Sequence, residues 1–274
     1  MSAFHLQPRF FDSDPSGPES RVLGRLLHWS DAVASSRALP VVLAHGFLGF
    51  DELAIGSQRH AYFRGIETRL VQMGAKVYTP RVPPAASIAT RAGRLAELIR
   101  ALPDARVNIV AHSMGGLDAR YAISQLGLSD KVASLTTIAT PHLGTPLADI
   151  SSKLLARFVR MLGRLIDLRA FVDLTTAQMA QFNRLNQNVP GISYGSVVAR
   201  SGKLRTHPLL WATHVYLSKH AGPNDGVVPA ASQPWGEVVR EIDADHWAQI
   251  GWTRGFDAEG LYEELLQDLR GRGL

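Results

Sequence analysis

Short apolar runs alternate along the chain with longer segments whose apolar residues recur at helical spacing. The runs are rich in β-branched residues and too short for helices, and they lie at residues 39–44, 77–78, 106–110, 132–139, 192–198, 214–217 and 237–242. Residues 62–73 and 89–102 carry apolar positions three and four residues apart, as amphipathic helices do. This alternation predicts an α/β fold with a mostly parallel central sheet and helices on both faces.

The alternation stops after residue 144. Residues 145–190 hold only helix-like material, in which apolar positions are interleaved with arginines. Because an αβ unit would return to the sheet sooner, we expect a helical cap inserted within a single domain of residues 1–274. Its apolar stripe comprises Leu155, Phe158, Val159 and Leu162. Such a stripe is typical either of a static cap over the sheet edge or of a mobile lid that meets substrate and lipid.

A serine stands at the junction between a predicted strand and a predicted helix. Ser113 follows the run at 106–110, and an apolar pattern at helical spacing resumes after Gly115. Strand, sharp turn and helix form the context of a nucleophile elbow, usually G-x-S-x-G, with Ala111 here at the first small position. The alternative is that Ser113 only caps a helix, but the loop at His45-Gly46 favours the nucleophile.

The first strand leads directly into a glycine-flanked loop, His45-Gly-Phe-Leu-Gly49. Such a loop can turn backbone N–H groups towards a ligand, and acyl transfer needs two of them to bind the oxyanion. One comes from this loop and one from the residue after the nucleophile, which assigns the N–H groups of Phe47 and Met114. His45 precedes the serine, so we expect it to shape the loop rather than to act as the base.

A serine nucleophile also needs a base and a carboxylate that orients the base. In the order Ser, acid, His, the acid is Asp225, which lies in a turn-rich loop expected after the strand at 214–217, and the base is His246. His246 is the one histidine downstream of Asp225. Asp245 is a rival acid, but adjacent side chains rarely reach each other, which favours Asp225.

The amino-acid composition excludes several other kinds of site and partner. The 274 residues are 46% hydrophobic and 19% charged, contain no cysteine and carry a net charge of +5. The absence of cysteine excludes disulfides, thiolate metal sites and a cysteine nucleophile. Arg91, Arg94, Arg100 and Arg106 are scattered as on solvated helix faces, so no nucleic-acid partner is expected. No apolar run is long enough for a transmembrane segment, and no signal peptide is visible, which predicts a cytoplasmic protein unless export uses another route.

Taken together, the motifs resemble the bacterial true lipases of family I, the Pseudomonas/Burkholderia/Proteus type of α/β-hydrolase. The matching segments are His45–Gly49, Tyr62–Ile66, Gly74–Tyr78, His112–Gly116, Ala139–Gly144, Leu174–Thr176 with Phe182-Asn183, and Asn224–Gly226. The resemblance implies hydrolysis of triacylglycerols or other carboxylic esters, without a cofactor and with contact to a lipid–water interface. An acyltransferase with the same triad and a noncatalytic binding module are the alternatives.

The chain departs from these lipases in two respects. Many of them hold calcium partly through an aspartate two residues after the catalytic histidine, where this chain has Ala248. Because the side chain of Ala248 has no oxygen ligand, no metal site is expected. The disulfide of the larger Pseudomonas enzymes cannot form without cysteine.

Overall fold

A parallel sheet of six strands forms the centre of the unit Leu39–Leu274. The computed structural model describes residues 38–47, 53–55, 58–150 and 169–274, and Leu39–Leu274 form one compact unit. The strands of this sheet are β1 (Val41–Ala44), β4 (Val77–Tyr78), β5 (Val107–His112), β6 (Val132–Ile138), β7 (Ser193–Arg200) and β8 (Glu237–Asp243). Their order is β4-β1-β5-β6-β7-β8, with every neighbouring pair parallel. The predicted α/β fold is confirmed.

Both faces of the sheet are covered, because successive side chains of its central strands enter two different hydrophobic clusters. Val42 and Ile109 pack on one face, and Leu43 and Val110 pack on the other. Such burial on both sides explains why these strands read as continuous apolar runs rather than as alternating ones.

The helices supply the covering layers. The α-helices of the described ranges are α1 (Ile66–Gln72), α2 (Ile88–Arg100), α3 (Gly115–Gln125), α4 (Pro146–Asp149), α5 (Arg169–Asp173), α6 (Thr176–Leu185), α7 (Trp211–His220) and α8 (Ala258–Gly271). Helices α2 and α3 pack on one face, and α1 and α8 pack on the other. The side chain of Ser87 accepts a hydrogen bond from the N–H of Thr90 and so caps α2.

Two local predictions were wrong or incomplete. Residues 214–217, expected as a strand, lie within helix α7. Its buried residues, His214 and Leu217, are three apart, as on one face of a helix, and this packing outweighs the strand preference of Val215 and Tyr216. The antiparallel pair β2 (Leu53–Ile55) and β3 (Gln58–His60) was not predicted.

Helices α4, α5 and α6 lie within the predicted cap. The N–H of Ile88 at the start of α2 donates to the carboxylate of Asp173 at 2.8 Å, and the ring of Phe171 packs edge-on against Phe47. The stripe residues Leu155, Phe158, Val159 and Leu162 lie outside the described residues. The lid and the domain boundaries therefore stay predictions.

Candidate active site

Ser113 lies at the sharp turn between β5 and α3. Its φ of 55° is in the left-handed region, which is rare for a residue other than glycine. The turn is possible because small residues surround it: a Cβ on Gly46 would lie 2.7 Å from that of Ser113, and one on Gly115 would lie 2.5 Å from the carbonyl oxygen of Ala44. The elbow geometry expected from the sequence is therefore present.

The structure brings Ser113, His246 and Asp225 together. His246 Nε2 lies 3.0 Å from Ser113 Oγ, and His246 Nδ1 lies 2.7 Å from Asp225 Oδ2. All three side chains are buried. Because an aspartate carboxylate only accepts, Nδ1 carries the proton and Nε2 faces the serine hydroxyl as an acceptor.

Backbone hydrogen bonds hold the Asp225 carboxylate in place. Its Oδ1 accepts from the N–H groups of Val227 and Val228, at 2.9 and 2.7 Å. The carbonyl oxygen of Asp225 accepts from the N–H of His246 at 2.9 Å, which joins the two loops directly. The loop follows helix α7 rather than the expected strand, and the bond from Ser201 N–H to the Asn224 carbonyl returns it to the end of β7.

Asp245 is committed to other partners. Its Oδ1 accepts from the N–H groups of Trp247 and Ala248 and from the hydroxyl of Thr253. Its Oδ2 accepts from the N–H of His207 at 2.7 Å. Asp245 thus ties together the loops around the histidine through these four hydrogen bonds.

The two candidate oxyanion N–H groups belong to peptides whose carbonyl groups are anchored. The carbonyl oxygen of Gly46 accepts from His45 Nδ1 at 3.0 Å, and that of Ser113 accepts from the hydroxyl of Thr140 at 2.7 Å. In a trans peptide the N–H points opposite to the C=O. These contacts therefore fix the directions of the N–H groups of Phe47 and Met114.

Arg91 is a buried residue that binds the loop after β1, and its burial was not predicted from the sequence. Its guanidinium is fully buried and binds Asp118 Oδ2 at 2.8 Å. It also donates to the carbonyl oxygens of Pro83, His45 and Gly46 at 2.7, 2.7 and 3.2 Å. The interpretation of Arg91 as a solvated residue was wrong, because it lies three residues after the buried Ile88 and faces the core. The same spacing was a signal in the sequence.

Burial shifts the pKa values of Asp118 and His45, which both lie near Arg91. Burial raises the pKa of Asp118 to about 7, against the opposing effect of Arg91. Burial and the nearby Arg91 lower the pKa of His45 to about 4. The neutral His45 accepts from the N–H of Val82 at 3.3 Å, so it shapes the loop as expected.

Comparison with known proteins decides the family. A family model described as the alpha/beta hydrolase fold matches residues 40–177. The chain belongs to the α/β-hydrolase family. A triacylglycerol lipase of Pseudomonas fragi is 30% identical to this hydrolase over 86% of the chain and 97% of the relative. The resemblance to bacterial lipases is confirmed.

Other relatives differ in length from this hydrolase. Triacylglycerol lipase 2 of Saccharomyces cerevisiae is 36% identical over 70% of the chain. The chain spans 62% of that relative and 58% and 52% of the triacylglycerol lipases of Pseudarthrobacter phenanthrenivorans and Burkholderia plantarii. Among solved structures, a metagenomic carboxyl esterase superposes with a TM-score of 0.75 at 21% identity, over 86% of this chain and 76% of its own, which supports the fold.

Neither a membrane-spanning helix nor a group of metal-binding side chains is found among the described residues. No helix there combines the length and the apolar character needed to cross a membrane. Likewise, no three histidine or acidic side chains in that part of the chain are grouped so that they could hold a metal ion. Activity without a metal stays a prediction.

Proposed function

We propose that this α/β-hydrolase cleaves carboxylic esters through an acyl-enzyme formed on Ser113. The observation that carries the proposal is the hydrogen-bonded series Ser113, His246, Asp225, with distances of 3.0 and 2.7 Å. It supports a nucleophile, a base and an orienting acid in the roles that ester hydrolysis requires.

In the first half of the reaction, Ser113 Oγ attacks the ester carbonyl carbon while His246 Nε2 takes the hydroxyl proton. Asp225 Oδ2 stabilises the resulting imidazolium through its bond to Nδ1. The oxyanion accepts from the N–H groups of Phe47 and Met114, contacts that contribute roughly 3 kcal/mol each to stabilising the transition state. His246 then gives the proton to the leaving alcohol.

In the second half, water attacks the acyl-enzyme and passes a proton to His246, which returns it to Ser113 Oγ. The same N–H groups bind the second oxyanion. Each step uses groups of the chain itself, so this scheme needs no cofactor.

We further propose that the substrates are triacylglycerols or related lipid esters, met at a lipid–water interface. The support is the similarity to lipases and the stripe of apolar residues predicted in the cap. A series of p-nitrophenyl esters from acetate to palmitate, compared with emulsified triacylglycerols, tests both points. Higher turnover on emulsions than on dissolved esters supports a lipase with a lid, and the reverse supports an esterase with a static cap.

The decisive variant is Ser113→Ala. It should abolish hydrolysis while the protein stays folded, because the hydroxyl provides the nucleophile rather than core packing. Loss of a triad member costs several orders of magnitude. Residual activity above about one per cent in a folded variant would indicate another nucleophile. An inactive wild-type protein would favour the noncatalytic alternative, and ester formation with added alcohol would favour acyl transfer.

A further inference from the structure

A chain of hydrogen bonds joins the oxyanion loop, residues 45–47 after β1, to the acid without passing through the base. The N–H of Gly46 donates to the hydroxyl oxygen of Tyr62 at 3.1 Å. That hydroxyl lies 2.7 Å from His112 Nδ1, and His112 Nε2 lies 3.1 Å from Gln249 Oε1. Gln249 Nε2 donates to Asp225 Oδ2 at 3.1 Å. These bonds form a second connection beside the triad.

With His112 neutral, only one arrangement of protons satisfies every link. The Asp225 carboxylate can only accept, so Gln249 presents its amino group to Asp225 and its oxygen to His112. His112 must then donate from Nε2 and accept at Nδ1. Tyr62 therefore donates to His112 and accepts from Gly46. Every hydrogen bond of this series is donated in the direction of the Asp225 carboxylate, and such aligned bonds strengthen one another.

The surroundings favour the neutral forms that this direction requires. Burial lowers the pKa of His112 well below its usual value, and burial raises the pKa of Tyr62. The side chains of His112 and Gln249 are almost completely buried. A missing link would therefore leave polar groups without partners in the interior.

Each end of this series of hydrogen bonds reaches an atom that takes part in the proposed reaction or fixes a group that does. Asp225 Oδ2 is also the atom that binds His246 Nδ1, at 2.7 Å. At the other end, Gly46 provides the carbonyl of the peptide whose N–H is that of Phe47. Tyr62 holds the N–H of Gly46, while Arg91 and His45 hold its carbonyl oxygen.

We propose that Tyr62, His112 and Gln249 are positioning residues that act as one unit, holding Asp225 and the oxyanion loop in the geometry needed for turnover. This inference rests on the proposed esterase function. A linked unit predicts coupling between Tyr62 and Gln249, which share His112 as a partner.

The test is a double-mutant cycle of Tyr62→Phe and Gln249→Met on a dissolved p-nitrophenyl ester. Each single variant should lower kcat about 10- to 100-fold, with KM changed less than about threefold, because a hydrogen bond to a buried charged or polar group is lost. The double variant should have a kcat within about threefold of the worse single variant, since breaking either link interrupts the same unit. Multiplied single effects would overturn the proposal.

Gln233→Met is the matched control. Gln233 is equally buried, but its side chain bonds to backbone groups of residues 199 and 228 rather than to Asp225. It should lower the melting temperature to a similar extent and kcat by a smaller factor than Gln249→Met. Equal losses of kcat would reduce Gln249 to a general stabilising residue.

A second measurement does not depend on activity. In the wild-type protein labelled with ¹⁵N-histidine, NMR should show His112 as the neutral tautomer protonated at Nε2. The Nδ1-protonated tautomer or an imidazolium at neutral pH would refute the proposed direction of the hydrogen bonds through His112. If the wild type hydrolyses no ester while His112 has the expected tautomer, the proposed function fails and the hydrogen-bonded unit stands.

Discussion

Two isosteric substitutions, Asp225→Asn and Asp245→Asn, separate the proposed acid from its neighbour. Both aspartates are fully buried and lie next to His246 in space or in sequence. We expect Asp225→Asn to lower kcat by roughly 10³- to 10⁴-fold and Asp245→Asn by less than about tenfold.

The magnitude for Asp225 follows from its hydrogen bonds. Its Oδ1 accepts from two backbone N–H groups of residues 227–228, so an asparagine must keep oxygen there and place its amino group at the position of Oδ2. That group faces His246 Nδ1, which would have to accept instead of donating. His246 Nε2 would then carry the proton and could not take one from Ser113. A loss of 10³- to 10⁴-fold corresponds to about 4–5.5 kcal/mol in the barrier.

Asp245 loses much less. Three donors bind its Oδ1, so the amino group of asparagine would replace Oδ2, where only the N–H of His207 is bound. Losing that bond should lower the free energy of unfolding by about 1–3 kcal/mol. The imidazole of His246 keeps its tautomer.

The assay is kcat on p-nitrophenyl butyrate, together with urea unfolding of both variants to establish the folded fraction. A thousandfold loss in folded Asp245→Asn, or a loss below tenfold in Asp225→Asn, would refute the assignment of the acid.

Three further predictions concern stability and metals. Arg91→Met should lower the free energy of unfolding by roughly 3–5 kcal/mol, because Asp118 and buried carbonyl groups lose their donor. Adding Asp118→Leu to this variant should restore much of the loss. A decrease of less than about 1 kcal/mol in urea unfolding of Arg91→Met would contradict this expectation. Stability should fall as the pH decreases from 6.5 towards 4, because burial lowers the pKa of His45 to about 4 and those of His112 and His142 well below the usual value. The unfolded chain therefore binds more protons at these three histidines, which outweighs the opposite contribution of Asp118, whose pKa burial raises to about 7. A constant melting temperature over this range would refute the prediction. Activity should survive EDTA, and recovery by calcium after a loss would reveal a metal site.

Local pattern and chain order were enough to predict much of the site. The strand before Ser113, the small residues around it and the glycine-flanked loop each have a local cause, so the elbow could be recognised from residues close together in the sequence. His246 followed from order alone, being the one histidine downstream of Asp225. These features need no knowledge of long-range packing.

Features decided by distant contacts were missed. Residues 214–217 have the composition of a strand but form part of helix α7, because packing buries positions three residues apart. Arg91 looks like a surface residue by type, but its charge is compensated in the interior by Asp118, 27 residues away along the chain. A one-dimensional pattern records the spacing of Arg91 but not the carboxylate that compensates its charge.

The buried guanidinium of Arg91 also bears on how the protein loses activity when heated. It links helix α2, helix α3 through Asp118, and the loop after β1 within one cluster of bonds. The oxyanion loop therefore cannot detach without leaving N–H groups of a buried guanidinium without their carbonyl acceptors, which favours loss of the whole fold over local opening. Thermal inactivation and global unfolding should thus share one midpoint, and stabilising the hydrophobic core far from the site should extend the working temperature range of the enzyme by the same amount.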